Sequence, residues 1–223
     1  LAALSRVKTR IAHIYPAEDK RECTLPRKAY SFVMRLLIAT MATEILSDSR
    51  SALRSFWKEL PISPRASSSK ALYPTVDTHR FTRPVDRDTV RLRLGLPIDC
   101  PVVLYVARFV PHKNHLFVVE LARRVLALGV DAHFLLCGAD GPTRTDVERG
   151  TKDMDHFSVI ADLPDLCEVY GTADVFIFPS LNEGFGIVAL EAQAAGLPVV
   201  ATDLPPIRET LAPEMLDWVF TPN

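Results

Sequence analysis

From residue 101 onward, short unbroken apolar runs alternate with segments whose apolar positions fall three and four apart. Val102–Ala107, Ala132–Cys137 and Val175–Phe178 are nearly continuous apolar stretches, the pattern of strands covered on both faces. Asp153–Ala161 holds a further strand, and Val199–Ala201 a short one. Helical spacing covers Lys113–Leu128, Asp165–Thr172 and Phe185–Ala195, and begins again over Pro206–Leu211. Strand and helix in alternation, with short loops, predict a doubly wound, mostly parallel α/β sheet.

Upstream the pattern is less regular. Thr9–Ile14 reads as a short strand, and residues 28–46 carry Phe32, Leu36, Ala39, Met41 and Ile45 at helical spacing. A second helix is predicted over Ser51–Leu60, with Ser47 or Ser49 as its cap and Pro61 and Pro64 as its stop. The polar stretch Asp19–Pro26 reads as loop, Ala71–Tyr73 as extended, and residues 74–94 as a connection.

Composition changes the picture in two ways. With 48% hydrophobic and 24% charged residues, the chain is not disordered and can bury a core. At 223 residues it holds more than one domain and less than two, at about 150 residues each. The net charge of -1 conceals a split: residues 1–93 carry 18 Lys and Arg against 9 Asp and Glu, and residues 94–223 carry 8 against 18. Such a split suggests two units with different surroundings. Cysteines 23, 100, 137 and 167 are too scattered for a metal-ligand spacing, and Cys137 reads as core. Arg6, Lys8 and Arg10 interrupt the start before any signal-peptide core forms. Tyr30–Leu46 contains Arg35 and Glu44 and is too short to span a bilayer. The expectation is a cytoplasmic piece of a longer chain.

The densest chemistry lies in Phe178-Pro-Ser-Leu-Asn-Glu-Gly-Phe-Gly-Ile-Val-Ala-Leu-Glu191. A strand ends at Pro179 and a polar loop holds Glu183. Gly184 and Gly186 then allow close backbone approach where a helix begins. Helix N-termini bind anions, and the carboxyl ends of strands are where open α/β sheets take ligands. Glu191 lies eight residues beyond Glu183, near two turns into the predicted helix, so the pair suits a long ligand with hydroxyls at each carboxylate. An isolated Glu is most often a solvent-facing charge. Set among Ile187, Val188, Ala189, Leu190 and Ala192, Glu191 should instead have a partner.

Arg108 directly follows one buried strand, and Lys113 is expected to open the next helix. The pair suits a polyphosphate, Arg by bidentate contact and Lys as a point charge. Read alone, the segment is equally a surface pair. His112 and His115 lack a third ligand nearby, so no metal site is read there. Gly138-Ala-Asp-Gly-Pro142 is a weak phosphate or turn signal.

Together these residues resemble the retaining glycosyltransferases of the group-1, or family-4, type with the two-lobed GT-B fold, and among them the bacterial exopolysaccharide and capsule enzymes. The likeness rests on Glu183-Gly-Phe-Gly186, Glu191 and Ala195-Gly-Leu-Pro-Val199, and on Arg108 with Lys113-Asn-His115. Ala71–Phe81 resembles the interlobe Tyr-Asn-Gly-Val-Asp segment of the group, with Pro74 and Thr75 where Asn and Gly are usual.

The resemblance implies residues 1–70 as the C-terminal part of an acceptor lobe, 71–94 as the interlobe connection, and 95–223 as a truncated nucleotide-sugar lobe. Arg108 and Lys113 would hold the donor diphosphate, Glu183 would contact the transferred sugar, and Glu191 would bind the ribose. The amides of Phe185, Gly186 and Ile187, with Gly184, would line the donor; Val188 and Leu163 would lie at the nucleotide. His13 would stand near the transferred sugar as a second catalytic residue.

The implied partners are a nucleotide-sugar donor and a glycan or lipid-linked acceptor, with no metal or other cofactor required and no nucleic acid. Peripheral contact with an anionic membrane through Arg27, Lys28 and Arg35 is an added expectation, and the piece alone is expected to be inactive. The alternatives are a non-catalytic nucleotide-binding module, which would not need Glu183, and a sugar-phosphate isomerase of the same fold, which would lack the spaced glutamates.

Overall fold

The computed structural model describes residues 7–14, 24–58, 60, 69–163 and 165–221. Two compact units emerge. One comprises residues up to Pro74 together with Glu183–Phe185; the other comprises Thr75–Asn182 and the chain from Gly186 onward.

In the first unit, strand β1 (Ile11–Ile14) is followed by helix α1 (Leu25–Met41), strand β2 (Glu44–Ser47), helix α2 (Arg50–Lys58) and strand β3 (Ser69–Ala71). The strands form a parallel sheet in the order β1-β2-β3, with His13 level with Leu46 and Ile45 level with Ser69. Its small core is Ile45, Leu53, Phe56 and Leu60.

The helix predicted over 28–46 is corrected here. It ends at Met41, Ala42 turns extended, and Glu44–Ser47 is a strand. Ile45 is buried in that strand, so its apolarity continued a helical spacing for a different structural reason. Ser49 does cap α2, since its Oγ accepts from the Ala52 N–H at 3.1 Å. The expectations over residues 19–23 and 61–68 lie outside the described residues.

The second unit begins with two short helices, α3 (Thr78–Phe81) and α4 (Arg87–Arg93), in the stretch read from sequence as a connection. Each is started by an aspartate: Asp77 accepts from the His79 N–H and Asp86 from the Thr89 N–H. Their apolar stripes are too short to show a period.

Strand β4 (Val102–Val106), helix α5 (His115–Ala127), strand β5 (His133–Gly138), helix α6 (Arg144–Thr151), strand β6 (Phe157–Ala161) and helix α7 (Cys167–Thr172) follow. The chain continues through strand β7 (Val175–Phe178), helix α8 (Ile187–Ala194), strand β8 (Val199–Thr202), helix α9 (Pro205–Arg208) and strand β9 (Val219–Phe220). Six strands lie parallel in the order β6-β5-β4-β7-β8-β9.

The central strands are the driest part of the chain. Val102, Leu104, Tyr105, Leu135, Cys137, Phe176 and Phe178 are fully buried, as unbroken apolar runs require of strands covered on both faces. Chain order runs outward from β4 in one direction through β5 and β6, and from β7 in the other through β8 and β9. The switch point of the sheet therefore lies between β4 and β7, the place where open parallel sheets take ligands at their carboxyl ends.

Candidate functional site

Loops leaving β4 and β7 flank this switch point, the first carrying Arg108 and Lys113 and the second Glu183 to Gly186. Arg108 is exposed two residues beyond β4. Residues 111–113 form a single 3-10 turn, and Asn114 follows at φ 57 before α5 begins at His115. Lys113 therefore ends a turn rather than opening a helix, because the left-handed Asn114 separates the two.

This loop is tied to the loop after β7. The Leu181 N–H donates to the His112 carbonyl at 2.8 Å, and the Asn114 amide donates to the Pro179 carbonyl at 3.3 Å. Tyr105, fully buried, donates its hydroxyl to the Lys113 carbonyl at 2.5 Å, and Lys113 Nζ lies 5.9 Å from the centre of the Phe178 ring.

Helix α8 begins at Ile187, not at Phe185. Gly186 is its N-cap at φ 101, a conformation that stops the helix from extending backward. The Gly186 carbonyl accepts from the Ala189 N–H at 2.9 Å, and with no side chain at the cap none competes for the amides of Ile187 and Val188, which suits an anion. Ile187 is exposed and Val188 half-buried beside them. Glu191 is consequently little more than one turn into the helix, nearer the anion end than the sequence spacing suggested.

Glu191 has the partner that its apolar surroundings demanded. The Tyr170 hydroxyl donates to Glu191 Oε2 at 2.7 Å. Desolvation pushes the Glu191 carboxyl above its ordinary range, and the Tyr170 hydrogen bond and the Arg80 charge oppose that shift. Leu163 follows β6, where Asp162 takes a positive φ of 56. It lines a cavity of about 280 Å³ with Arg93, Leu94, Asp165, Glu168 and Val169.

The weak glycine signal at 138–141 has a packing cause. A Cβ on Gly138 would come 2.0 Å from the Ala107 carbonyl oxygen, and one on Gly141 would come 2.2 Å from that of Phe109. These glycines let the loop after β5 run against the backbone that carries Arg108.

Glu183, Gly184 and Phe185 group with the first unit, and His13 lies there too. The Ser49 hydroxyl donates to the Gly184 carbonyl at 2.9 Å, and the Tyr73 and Phe185 rings lie 5.6 Å apart. His13, at the end of β1, places Nε2 at 2.7 Å from Asp48 Oδ1, just beyond the end of β2. Parallel pairing of β1 with β2 brings these two strand ends together, and Asp48 fixes the plane of the imidazole. Among the described residues, no group of three metal-ligating side chains occurs and no helix is long and apolar enough to cross a membrane.

Sequence reasoning missed Tyr170, Asp48, Asn114 and Phe178 as supports. Asp48 sits inside the Ser47-Asp-Ser49 run that had been read only for helix capping. Asn114 at a loop-to-helix junction is a residue type that tolerates the left-handed region, so its role was within reach.

The sequence and the fold both have known relatives. The sequence profile described as Glycosyl transferases group 1 matches residues 86–223. The chain is 39% identical over 148 residues to a D-inositol 3-phosphate glycosyltransferase of Geodermatophilus obscurus, covering 60% of this chain and 33% of that protein. It is 38% identical over 135 residues to the protein of the same name from Mycobacterium tuberculosis, covering 58% and 28%. The chain thus spans about a third of the length of the curated relatives it matches. The crystal structure of Anabaena Alr3699/HepE in complex with UDP and glucose superposes with a TM-score of 0.83 at 19% identity, covering 100% of this chain and 60% of that one. That likeness establishes the fold: two Rossmann-like, mostly parallel sheets of the GT-B type.

Proposed function

This chain belongs to the glycosyl transferases group 1 family, and on that premise we propose that it forms the donor-binding part of an enzyme that moves a sugar from a nucleotide-sugar to a glycan or lipid-linked acceptor with retention of anomeric configuration. The observation that carries this reading is the placement of Arg108 and Lys113 on one loop, and of Gly186 to Glu191 on the other, on the two sides of the sheet's switch point.

Arg108, Lys113 and the first-turn amides of α8 offset the charge that builds on the departing diphosphate. These groups supply fixed positive charge without any metal in the step. Glu191 accepts from the ribose, Leu163 and Val188 pack at the nucleotide, and Gly184 to Ile187 line the donor. Glu183 touches the transferred sugar. His13, oriented by Asp48, stands on the acceptor-lobe side of the chemistry. Residues 1–70 serve as the end of that lobe, 71–94 as the connection and 95–223 as the donor lobe. A polysaccharide of the exopolysaccharide or capsule type is the acceptor class we favour.

Ligand-detected NMR against UDP-, GDP-, ADP- and TDP-sugars tests the donor reading. UDP-glucose is the first member to try, given the UDP and glucose bound by the Anabaena protein. Binding of one nucleotide-sugar, weakened about tenfold or more by Arg108→Ala or Lys113→Ala, is expected from the loss of a charge-assisted contact. Glu183→Gln should leave nucleotide affinity nearly unchanged and sharply reduce sugar transfer in the full-length protein. Persistent transfer in that variant would remove Glu183 from the mechanism, whereas nucleotide binding without transfer by the wild-type full-length protein would favour the non-catalytic module.

A second contact is favoured by α1, on which Leu25, Tyr30, Phe32, Val33, Leu37 and Met41 are exposed beside Arg27 and Lys28. Anionic vesicles should co-sediment the protein, and Arg27→Glu with Lys28→Glu should release it. Equal binding by the reversed variant would overturn the contact.

A further inference from the structure

The geometry points to Tyr170 as a positioning residue that holds the Glu191 carboxylate for a ribose diol, and so makes the site select a ribonucleotide over its 2′-deoxy counterpart. This rests on the reading that Glu191 meets the ribose.

Tyr170 is fully buried at the middle of α7. Its ring is packed edge-on against Phe81 at 5.6 Å and tilted against Phe176 at 5.7 Å between ring centres. A phenol has one proton to donate. Glu191 Oε2 lies at 2.7 Å and the Val188 carbonyl at 3.5 Å, so the hydroxyl donates its hydrogen bond to the carboxylate. Oε1, and the second lone pair of Oε2, remain as acceptors. An ionised carboxylate accepts and does not donate, so it rewards a hydroxyl and gains nothing from a deoxy carbon. Sites that bury an acceptor for a substrate hydroxyl discriminate strongly against the analogue lacking it.

The Tyr170 hydrogen bond also favours the charged form of that acceptor. Burial favours the neutral carboxyl, and the Tyr170 hydroxyl and the Arg80 charge favour the anion. The other titratable groups facing it are few: α7 contributes Cys167, whose thiol is raised mainly by desolvation, and α8 contributes no second charge. Removing the hydroxyl leaves a desolvated carboxyl supported by Arg80 alone. Such a group takes up a proton as the pH falls, and a protonated carboxyl loses the acceptor selectivity.

The test uses whichever of UDP, GDP, ADP and TDP binds the full chain most tightly, titrated beside its 2′-deoxy or ribo counterpart between pH 6 and 8. The wild type is expected to prefer the ribonucleotide at least tenfold, with a ratio flat across that range. Tyr170→Phe should weaken the ribonucleotide about fivefold at pH 8 and further at pH 6, with the ribo-to-deoxy ratio falling as the pH drops. Glu191→Gln should lower the ratio equally at every pH.

If Glu191→Gln changes neither affinity nor ratio, or if no nucleoside diphosphate binds, the ribose reading itself fails. If Glu191→Gln acts but Tyr170→Phe keeps the wild-type ratio and pH profile, Tyr170 has no such role. Should Tyr170→Phe fold poorly, the wild type still decides: a ratio that collapses between pH 8 and pH 6 overturns the proposal.

Discussion

The ring of Phe178 occupies the space that a side chain on Gly186 would need. A Cβ at 186 would come 2.7 Å from Phe178 Cε1, and the backbone there has φ +101. The same ring lies under Lys113 Nζ, so one aromatic at the end of β7 constrains both the lysine and the start of α8. Gly186→Ala therefore combines left-handed strain of about 1–2 kcal/mol with overpacking of about 1–3 kcal/mol. Urea denaturation should show a loss of roughly 2–5 kcal/mol, and nucleotide-sugar affinity should fall because the first-turn amides shift. An unaltered midpoint would mean that the turn has room to relax.

Arg91 is a buried knot between α4 and the sheet. Only 3% exposed, it donates to the Thr172 carbonyl at 3.0 and 2.8 Å, to the Ile98 and Cys100 carbonyls at 2.9 and 3.0 Å, and to Asp174 Oδ2 at 2.8 Å. Burial raises the Asp174 carboxyl, but hydrogen bonds from Arg87 and the Val102 N–H, with the charges of Arg87 and Arg91, bring it below its ordinary value. Arg91→Met removes every one of those donors and should cost about 3–5 kcal/mol in chemical denaturation. Arg91→Lys should recover only part, since an ammonium cannot reproduce the planar fork.

Asn114 separates two effects that an alanine scan would merge. Its φ of 57 strains any residue with a β-carbon other than Asn or Asp, and its amide holds the Pro179 carbonyl. Asn114→Gly keeps the backbone and loses the hydrogen bond, for about 0.5–1.5 kcal/mol. Asn114→Ala should add roughly 1 kcal/mol of strain. Thermal unfolding of both variants would check the order; an alanine variant as stable as the glycine variant would contradict it.

His115 sets an acid limit to stability. It is 2% exposed, its ring stacks on Phe109 at 4.5 Å, and desolvation, opposed by the nearby Ala107 backbone and aided by the charges of Lys113 and His112, pushes it down to about 4 from 6.5. Because the folded value is lower, the unfolded chain binds the extra proton. The neutral histidine's contribution is complete above pH 6.5 and is lost as the pH falls from 6.5 toward 4. Linkage gives about 3 kcal/mol across that window. Denaturation at pH 7 and pH 4.5 should show the loss in the wild type and a shallower slope in His115→Leu.

Strands β4 to β8 of the second unit were legible, β4, β5 and β7 most plainly because a strand buried on both faces needs an unbroken apolar run; the two-residue β9 was not. The unit's first two helices, α3 and α4, were not legible either. A four-residue helix such as α3 is shorter than the period that would reveal it, and β2 was hidden because Ile45 and Leu46 continued the spacing of α1. Glu191 was recognised as a buried carboxylate from its neighbours, but Tyr170 lies 21 residues away, and no local pattern marks a tyrosine as a hydrogen-bond donor to it. Arg91 was equally hidden, because most of its partners are backbone carbonyls that any residue presents.

The order of residues alone determined the alternating α/β pattern, the glycine-framed loop with Glu183 and the following helix with Glu191, and the Arg108–Lys113 pair. These depend on short-range sterics and on the burial of contiguous side chains. Tertiary structure decided the rest. Strand order placed the switch point between β4 and β7, and loop-to-loop hydrogen bonds fixed Lys113 beside Phe178. Tyr170 came to Glu191, and Asp48 to His13, through elements that meet only when the sheets form. Residue type sets what a side chain can do, and long-range pairing sets what it does it to.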